Sequence, residues 1–414
     1  MSADEAARVK ELLLAARVPP VKVDLDRAIA DGRRRERGRR LIWATGSAAL
    51  VALVVVGGAA GVGTLRSVPA GKPVAPASAG ASASPRPASR PPSGKPSPSA
   101  SPSPSAGTVD AGACTVVELP GLTGLMPTIV DPNGTYVVVD QAVEVGDSWK
   151  AVLVTGGQST TLPLPAGSTN EQTNGINASG WMVGMGSNGG SGQVAFVIKN
   201  GTATRLPKLP GYQHSTAWAI NAAGDIVGAA WNDGDDVPVL WPAASPGTVQ
   251  RLGSGAGDAM AIGDDGTIAG TAGDGEAPWI WDTHGNGHAL TTPAGSAHGK
   301  VFAIRGDWAA GWAGSDAGGA VSAARWNLRT GAVETFAGMG GPARMVNARG
   351  DLASAMFEGG GVVRDGAPFN PGTGPYGAGV ASPIWISDDG RTLIGTVQSF
   401  AGGQTVVRAV TWHC

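Results

Sequence analysis

AINAAGDIVG, Ala219 to Gly228, reads as the end of an apolar strand, a glycine turn and the start of a second apolar strand. Near-copies stand on either side: GINASGWMVG from Gly175 and AIGDDGTIAG from Ala261. Taking the isoleucine of this phrase as an anchor, the chain repeats at Ile129, Ile176, Ile220, Ile262, Ile304, Val346 and Ile386. The intervals are 47, 44, 42, 42, 42 and 40 residues. Each copy holds its parts in the same order. A strand ends at the anchor, glycine turns the chain, a second strand follows, and a third begins about ten residues on. The third strands include AVLV at Ala151, AFVI at Ala195, VPVLW at Val237, APWIW at Ala277 and VRAVTW at Val407. A fourth closes most copies, as in TATRL, TVQRL, GHAL and VETF.

Four short strands every 42 or so residues is the period of a propeller blade, and too long for a β-solenoid coil. The strands are too short, and the glycine turns too frequent, for helical repeats. Seven anchors predict an all-β, seven-bladed β-propeller. Its ends predict how it closes. The seventh copy stops at VRAVTWHC without a fourth strand, while CTVVELPG from Cys114 precedes the first anchor as an orphan strand. Placing that N-terminal strand beside the C-terminal strands completes every blade and removes two open edges. Cys114 and Cys414, the chain's two cysteines, then lie on neighbouring strands and are expected to form a disulfide.

The phrase A-I-N-x-x-G-x-I-V-G, followed by an aromatic-rich strand ending in Leu-Trp and by a strand carrying Leu, resembles the HAF-type extracellular repeats. WAINAAGDIVG with VPVLW and TVQRL is the best match, and NGINASGWMVG with AFVIKNGTATRL is close. The resemblance covers about residues 115–414. Copies one, five, six and seven depart from it in the turn, with Val130 and Arg305 standing where the asparagine does. The resemblance implies a repeat scaffold of secreted and surface proteins, and it brings no catalytic residues to carry over.

What precedes the repeats is of a different kind. Glycine (66), proline (30) and a charged fraction of only 15% would suit disorder, but 42% hydrophobic residues and 13 tryptophans supply a core. Leu41 to Leu65 contains no charged residue. As a helix it would span about 37 Å at roughly 1.5 Å per residue, enough for a bilayer. RRRERGRR, Arg33 to Arg40, lies directly before it, which keeps the N-terminus cytoplasmic. An uncleaved signal-anchor is therefore expected over 41–65, after a short cytoplasmic segment, 1–40. Within that segment Ser2 and Glu5 form a capping-box pattern, and Val9, Leu12, Leu13 and Ala16 share a helical face. Residues 66–112 carry 11 prolines among Ser, Ala and Gly, a disordered linker with a reach on the order of 140 Å. The repeats, 113–414, are then extracytoplasmic, at the plasma membrane of a single-pass protein. Residues 109–414 hold 14 Lys/Arg against 25 Asp/Glu, an acidic balance that argues against nucleic acid as a partner.

Chemistry is sparse along the repeats. GSGAGD at Gly253 joins two strands with no helix to make a phosphate loop. His284 and His288 flank a hairpin GNG, and NDGDD, Asn232 to Asp236, lacks the length and terminal Glu of a calcium loop. No metal or cofactor is expected. Candidate binding residues lie ahead of the anchors, on loops between one blade's fourth strand and the next blade's first: Tyr212, His214, Asp258, His298, Arg344 and Tyr376. Trp241, Trp281, Trp326 and Trp412 share one strand position and are expected in the core. Trp231 and Trp312 follow second strands as candidate platforms for sugar stacking. The first expectation is a binding module for cell-wall glycan or a surface protein. The alternatives are a propeller enzyme, a lyase or glycosidase with polar residues at the channel mouth, and a transmembrane sensor working through residues 1–40.

Overall fold

The computed structural model describes residues 114–414, apart from 124, 143–148, 189–191, 233, 235, 274–276, 316–320, 355–359 and 402–403. The segments read as cytoplasmic, membrane-crossing and linker lie outside the described residues. Among those described, no helix is long and apolar enough to cross a membrane.

The repeats form seven four-stranded antiparallel sheets, each a consecutive meander except the one that joins the two ends. There Thr115–Thr123 pairs with Gln404–His413, Thr115 opposite His413 and Glu118 opposite Val410. The expected closure is observed, and Cys114 is bonded to Cys414 across 300 residues.

The opening phrase shows why the unit folds and stacks. Ile220 ends the inner strand of the third blade (His214–Ile220) and pairs with Ile226, which starts the second strand (Ile226–Trp231). Successive side chains of a strand point to opposite faces. Ile226 accordingly packs toward the second blade, beside Val183 and Val197, and Val227 toward the fourth, beside Ala259 and Ile268. Each blade is apolar on both faces because each face meets a neighbour. Trp241, Trp281, Trp326 and Trp412 are buried as expected, at 4% exposure or less. Three of them also donate their indole N–H to a carbonyl of the crossover loop: Trp241 to Pro207, Trp326 to Thr291 and Trp412 to Gly372, each at 2.8 Å.

The asparagine of the repeat ties blades together. Asn221 Oδ1 accepts the N–H of Asp225, closing the turn, while Nδ2 donates to the Gly263 carbonyl of the next blade. Asn177 does the same toward Asn221, and Asn347 toward Ser387, at 2.9 and 2.8 Å. All three are buried. One correction follows in the first copy. Val130, not Ile129, pairs with Val137 as Ile220 pairs with Ile226. Asp131 therefore fills the asparagine position and accepts the N–H groups of Asn133, Thr135 and Tyr136. Asn347→Ala would leave the Arg349 and Asp351 N–H groups and the Ser387 carbonyl without this partner. It should cost about 2 kcal/mol in urea unfolding, since buried unpaired groups are costly; a loss within experimental error would reduce the clip to a bystander.

Gly228 has a steric reason. A Cβ there would lie 1.9 Å from the Thr216 carbonyl oxygen, a backbone atom of the inner strand. Gly184, Gly270, Gly311 and Gly395 meet the same obstruction in their blades, at 1.7 to 2.3 Å. The inner strand is bulged at this height and brings its carbonyl close to the second strand. Gly228→Ala must push two paired strands apart and should cost about 2–3 kcal/mol, near the upper range for overpacking. An unchanged melting temperature would show that the bulge relaxes freely.

Candidate functional site

The seven inner strands surround a central cavity of about 340 Å³. In six blades the pairing with the second strand skips one residue, two positions before the anchor. A bulge leaves that residue unpaired and re-aims its side chain. The skipped residues are Thr128, Asn174, Trp218, Met260, Phe302 and Ile384, and all six line the cavity. Arg344 holds the same position in the sixth blade and lines it too. Its own N–H donates to the Ala353 carbonyl. The scaffold thus repeats while the ring it presents differs at every blade.

Arg344 is the one ionisable side chain among the cavity-lining residues. Its guanidinium lies 4.7 Å from the Phe302 ring centroid, a cation–π contact. Burial pulls its pKa down to about 10, because desolvation disfavours the charged form. Two positions further from the anchors, Asp258 and Lys300 of adjacent blades form a buried ion pair at 2.9 Å. At the anchor end Arg305 reaches from the fifth blade to Asp388 of the seventh at 2.6 Å, and to Asp264 of the fourth at 3.6 Å. Partial burial alone would raise the Asp388 carboxyl, but the Arg305 hydrogen bond and the Ala348 N–H outweigh it and hold it below the ordinary carboxylate value.

The sequence candidates scatter around this cavity. Arg344 lines it, directly ahead of the short inner strand Met345–Val346. His214, Asp258 and His298 lie within inner strands rather than on the preceding loops, a correction of their expected placement. Strand pairing begins earlier than the apolar pattern does. His214 and Trp231 are brought together: they pair across the first two strands and stack with centroids 5.4 Å apart. His214 Nδ1 also accepts the Gln193 N–H from the second blade. His298 has Gly314 opposite it instead, so the equal register does not repeat the stack. Trp231 ends its second strand and Trp312 lies inside another; both are half-buried, not projecting platforms. Tyr212 packs against the core between blades two and three, and Tyr376 lies in a short 3-10 turn under Arg408. His284 and His288 are both exposed. Asn232 is spent on the preceding loop, accepting from Gln213 and donating to the Gly211 carbonyl.

Sequence reading missed Trp218, Met260, Phe302, Asn174 and Lys300. The signal that finds them is the register itself. Counting back two residues from each corrected anchor returns the cavity ring, and Lys300 lies 42 residues after Asp258, one repeat on.

No protein-family model matches the chain, and no curated protein matches it. Solved structures are similar to parts of it. Virginiamycin B lyase from Staphylococcus aureus is 15% identical, with 72% of this chain and 98% of that one covered at a TM-score of 0.45. TolB from Acinetobacter baumannii is 12% identical, with 69% and 68% covered at 0.42. A gluconolactonase from Xanthomonas campestris is 13% identical, with 73% and 90% covered at 0.36.

Proposed function

We propose that the chain is a plasma-membrane-anchored propeller of the HAF-repeat kind that acts outside the cell as a binding module for cell-wall glycan or a surface protein. The observation that carries this reading is the cavity ring. Seven equivalent positions on a repeating scaffold hold seven different side chains, six of them turned inward by a bulge. A structural role would ask for the same apolar residue each time; recognition asks for different ones. The Cys114–Cys414 bond supports the location, since such bonds persist in oxidising compartments. The basic run before Leu41 supports the orientation. Two arms test the proposal. Protease added to intact cells should remove a C-terminal tag on the full chain and spare an N-terminal one. The detergent-solubilised full chain should retain specific members of a cell-wall glycan array or crosslink to one surface protein. Protection of the C-terminal tag would sink the topology, and an empty array with no crosslinked partner would sink the binding role.

A further inference from the structure

Arg344 poses a problem that the fold leaves unsolved. It lines the central cavity, and among the described residues no carboxylate pairs with its guanidinium, which lies 4.7 Å from the Phe302 ring centroid. Arg344 is half-buried, and a charge partly withdrawn from water is normally paired. The cations to either side are already neutralised, Lys300 by Asp258 and Arg305 by Asp388. The lining therefore carries a single uncompensated positive charge. Around it Trp218, Met260, Phe302 and Ile384 supply apolar surface, beside neutral polar side chains such as Asn174 and Gln398.

We propose that this cavity binds a small organic monocarboxylate, its anion on Arg344 and its apolar body against Trp218, Met260 and Phe302. A guanidinium grips a carboxylate with two parallel hydrogen bonds, and the Phe302 ring supplies a face for the cation without taking a hydrogen-bond donor from an anion. One compensating charge suits a monoanion; a phosphate ester or dicarboxylate would bring a second charge with no second cation in the described lining to balance it. The volume of about 340 Å³ lies at the lower end of small-molecule sites and admits a single-ring or medium-chain acid. The cavity ring also carries the surface-binding reading, but a small acid and a glycan or protein partner are tested by different assays, so failure of either is separately visible.

The test uses the full chain in detergent with phenylacetate and octanoate, phenylacetamide as the neutral counterpart of the first, and inorganic phosphate. Saturation-transfer NMR and thermal unfolding give the readouts. Phenylacetate or octanoate at millimolar concentration should receive saturation and raise the melting temperature, with phenylacetamide at least about tenfold weaker. Phosphate should do neither. Arg344→Gln should abolish the preference for carboxylate over amide while raising the melting temperature of the ligand-free protein, because it removes the uncompensated charge. Phe302→Leu keeps the charge and most of the volume, and should weaken carboxylate binding severalfold. Equal binding of phenylacetate and phenylacetamide would overturn the proposal. So would unchanged carboxylate binding in Arg344→Gln, or no saturation transfer to either acid.

Discussion

Replacing both Cys114 and Cys414 with serine should lower the free energy of unfolding by up to about 5 kcal/mol, the largest effect expected of any change in the propeller. The bond spans 300 residues. On the chain-entropy argument a loop of that length contributes roughly 5–6 kcal/mol, and measured bridges often deliver less. The location sharpens the effect. The closing strand belongs by sequence to the start of the propeller and by pairing to its last blade. Regular pairing with the C-terminal strand runs from Thr115 to Glu118 before the register shifts toward Thr123. Without the bridge the seventh blade can open at that short ladder and expose Val116, Leu122 and Trp412 to water. Urea unfolding of the oxidised, reduced and double-serine proteins measures the difference. Hydrogen exchange should quicken first at Val116, Val117 and Glu118. Equal urea midpoints for all three forms would mean that strand pairing alone holds the ring shut.

The features legible in the sequence were those that each blade must repeat. The anchor isoleucines, the turn glycine and the glycine of Gly228's type recur because each face of each blade meets a neighbour and each inner strand crowds its partner. The closure was legible because Cys114 and Cys414 mark the two strands that lack a blade of their own. Two things were not. TIV at Thr128 to Val130 offers two apolar anchors in a row, and the choice between them depends on Asp131 acting as the asparagine does elsewhere. Carboxylate and amide oxygens accept the same turn N–H groups, so the residue type changed while the geometry persisted. The bulges are the second case. They arise from the fit of two strands, and no residue at Trp218 or Met260 announces them. Their trace is on the partner strand, as the glycine that yields to the displaced carbonyl. Asp258 was expected on a loop but lies in an inner strand, because a polar side chain interrupts the apolar pattern by which strands are recognised, whereas Arg344 stands directly ahead of its strand as expected.

Lys300→Met should cost about 3–5 kcal/mol, although methionine fills much the same volume. Asp258 is 6% exposed and Lys300 9%, and their carboxylate and ammonium meet at 2.9 Å. Asp258 Oδ1 already has no hydrogen-bond partner, so removing the lysine strips the carboxylate of its main compensation. Breaking a buried pair from one side leaves an uncompensated charge, which is why the cost exceeds that of a lost surface bridge several times over. The double change Asp258→Leu with Lys300→Met is expected to recover that loss and to unfold near or above the wild-type midpoint, because neither charge must then be taken out of water. The double-mutant cycle separates the two contributions in urea. A Lys300→Met cost below about 1 kcal/mol would mean that the channel hydrates Asp258 well. The outcome bears on the neighbouring ring as well. Arg344 is half-buried rather than buried, so the same desolvation acts on it in weaker form, and an anion arriving in the channel relieves it.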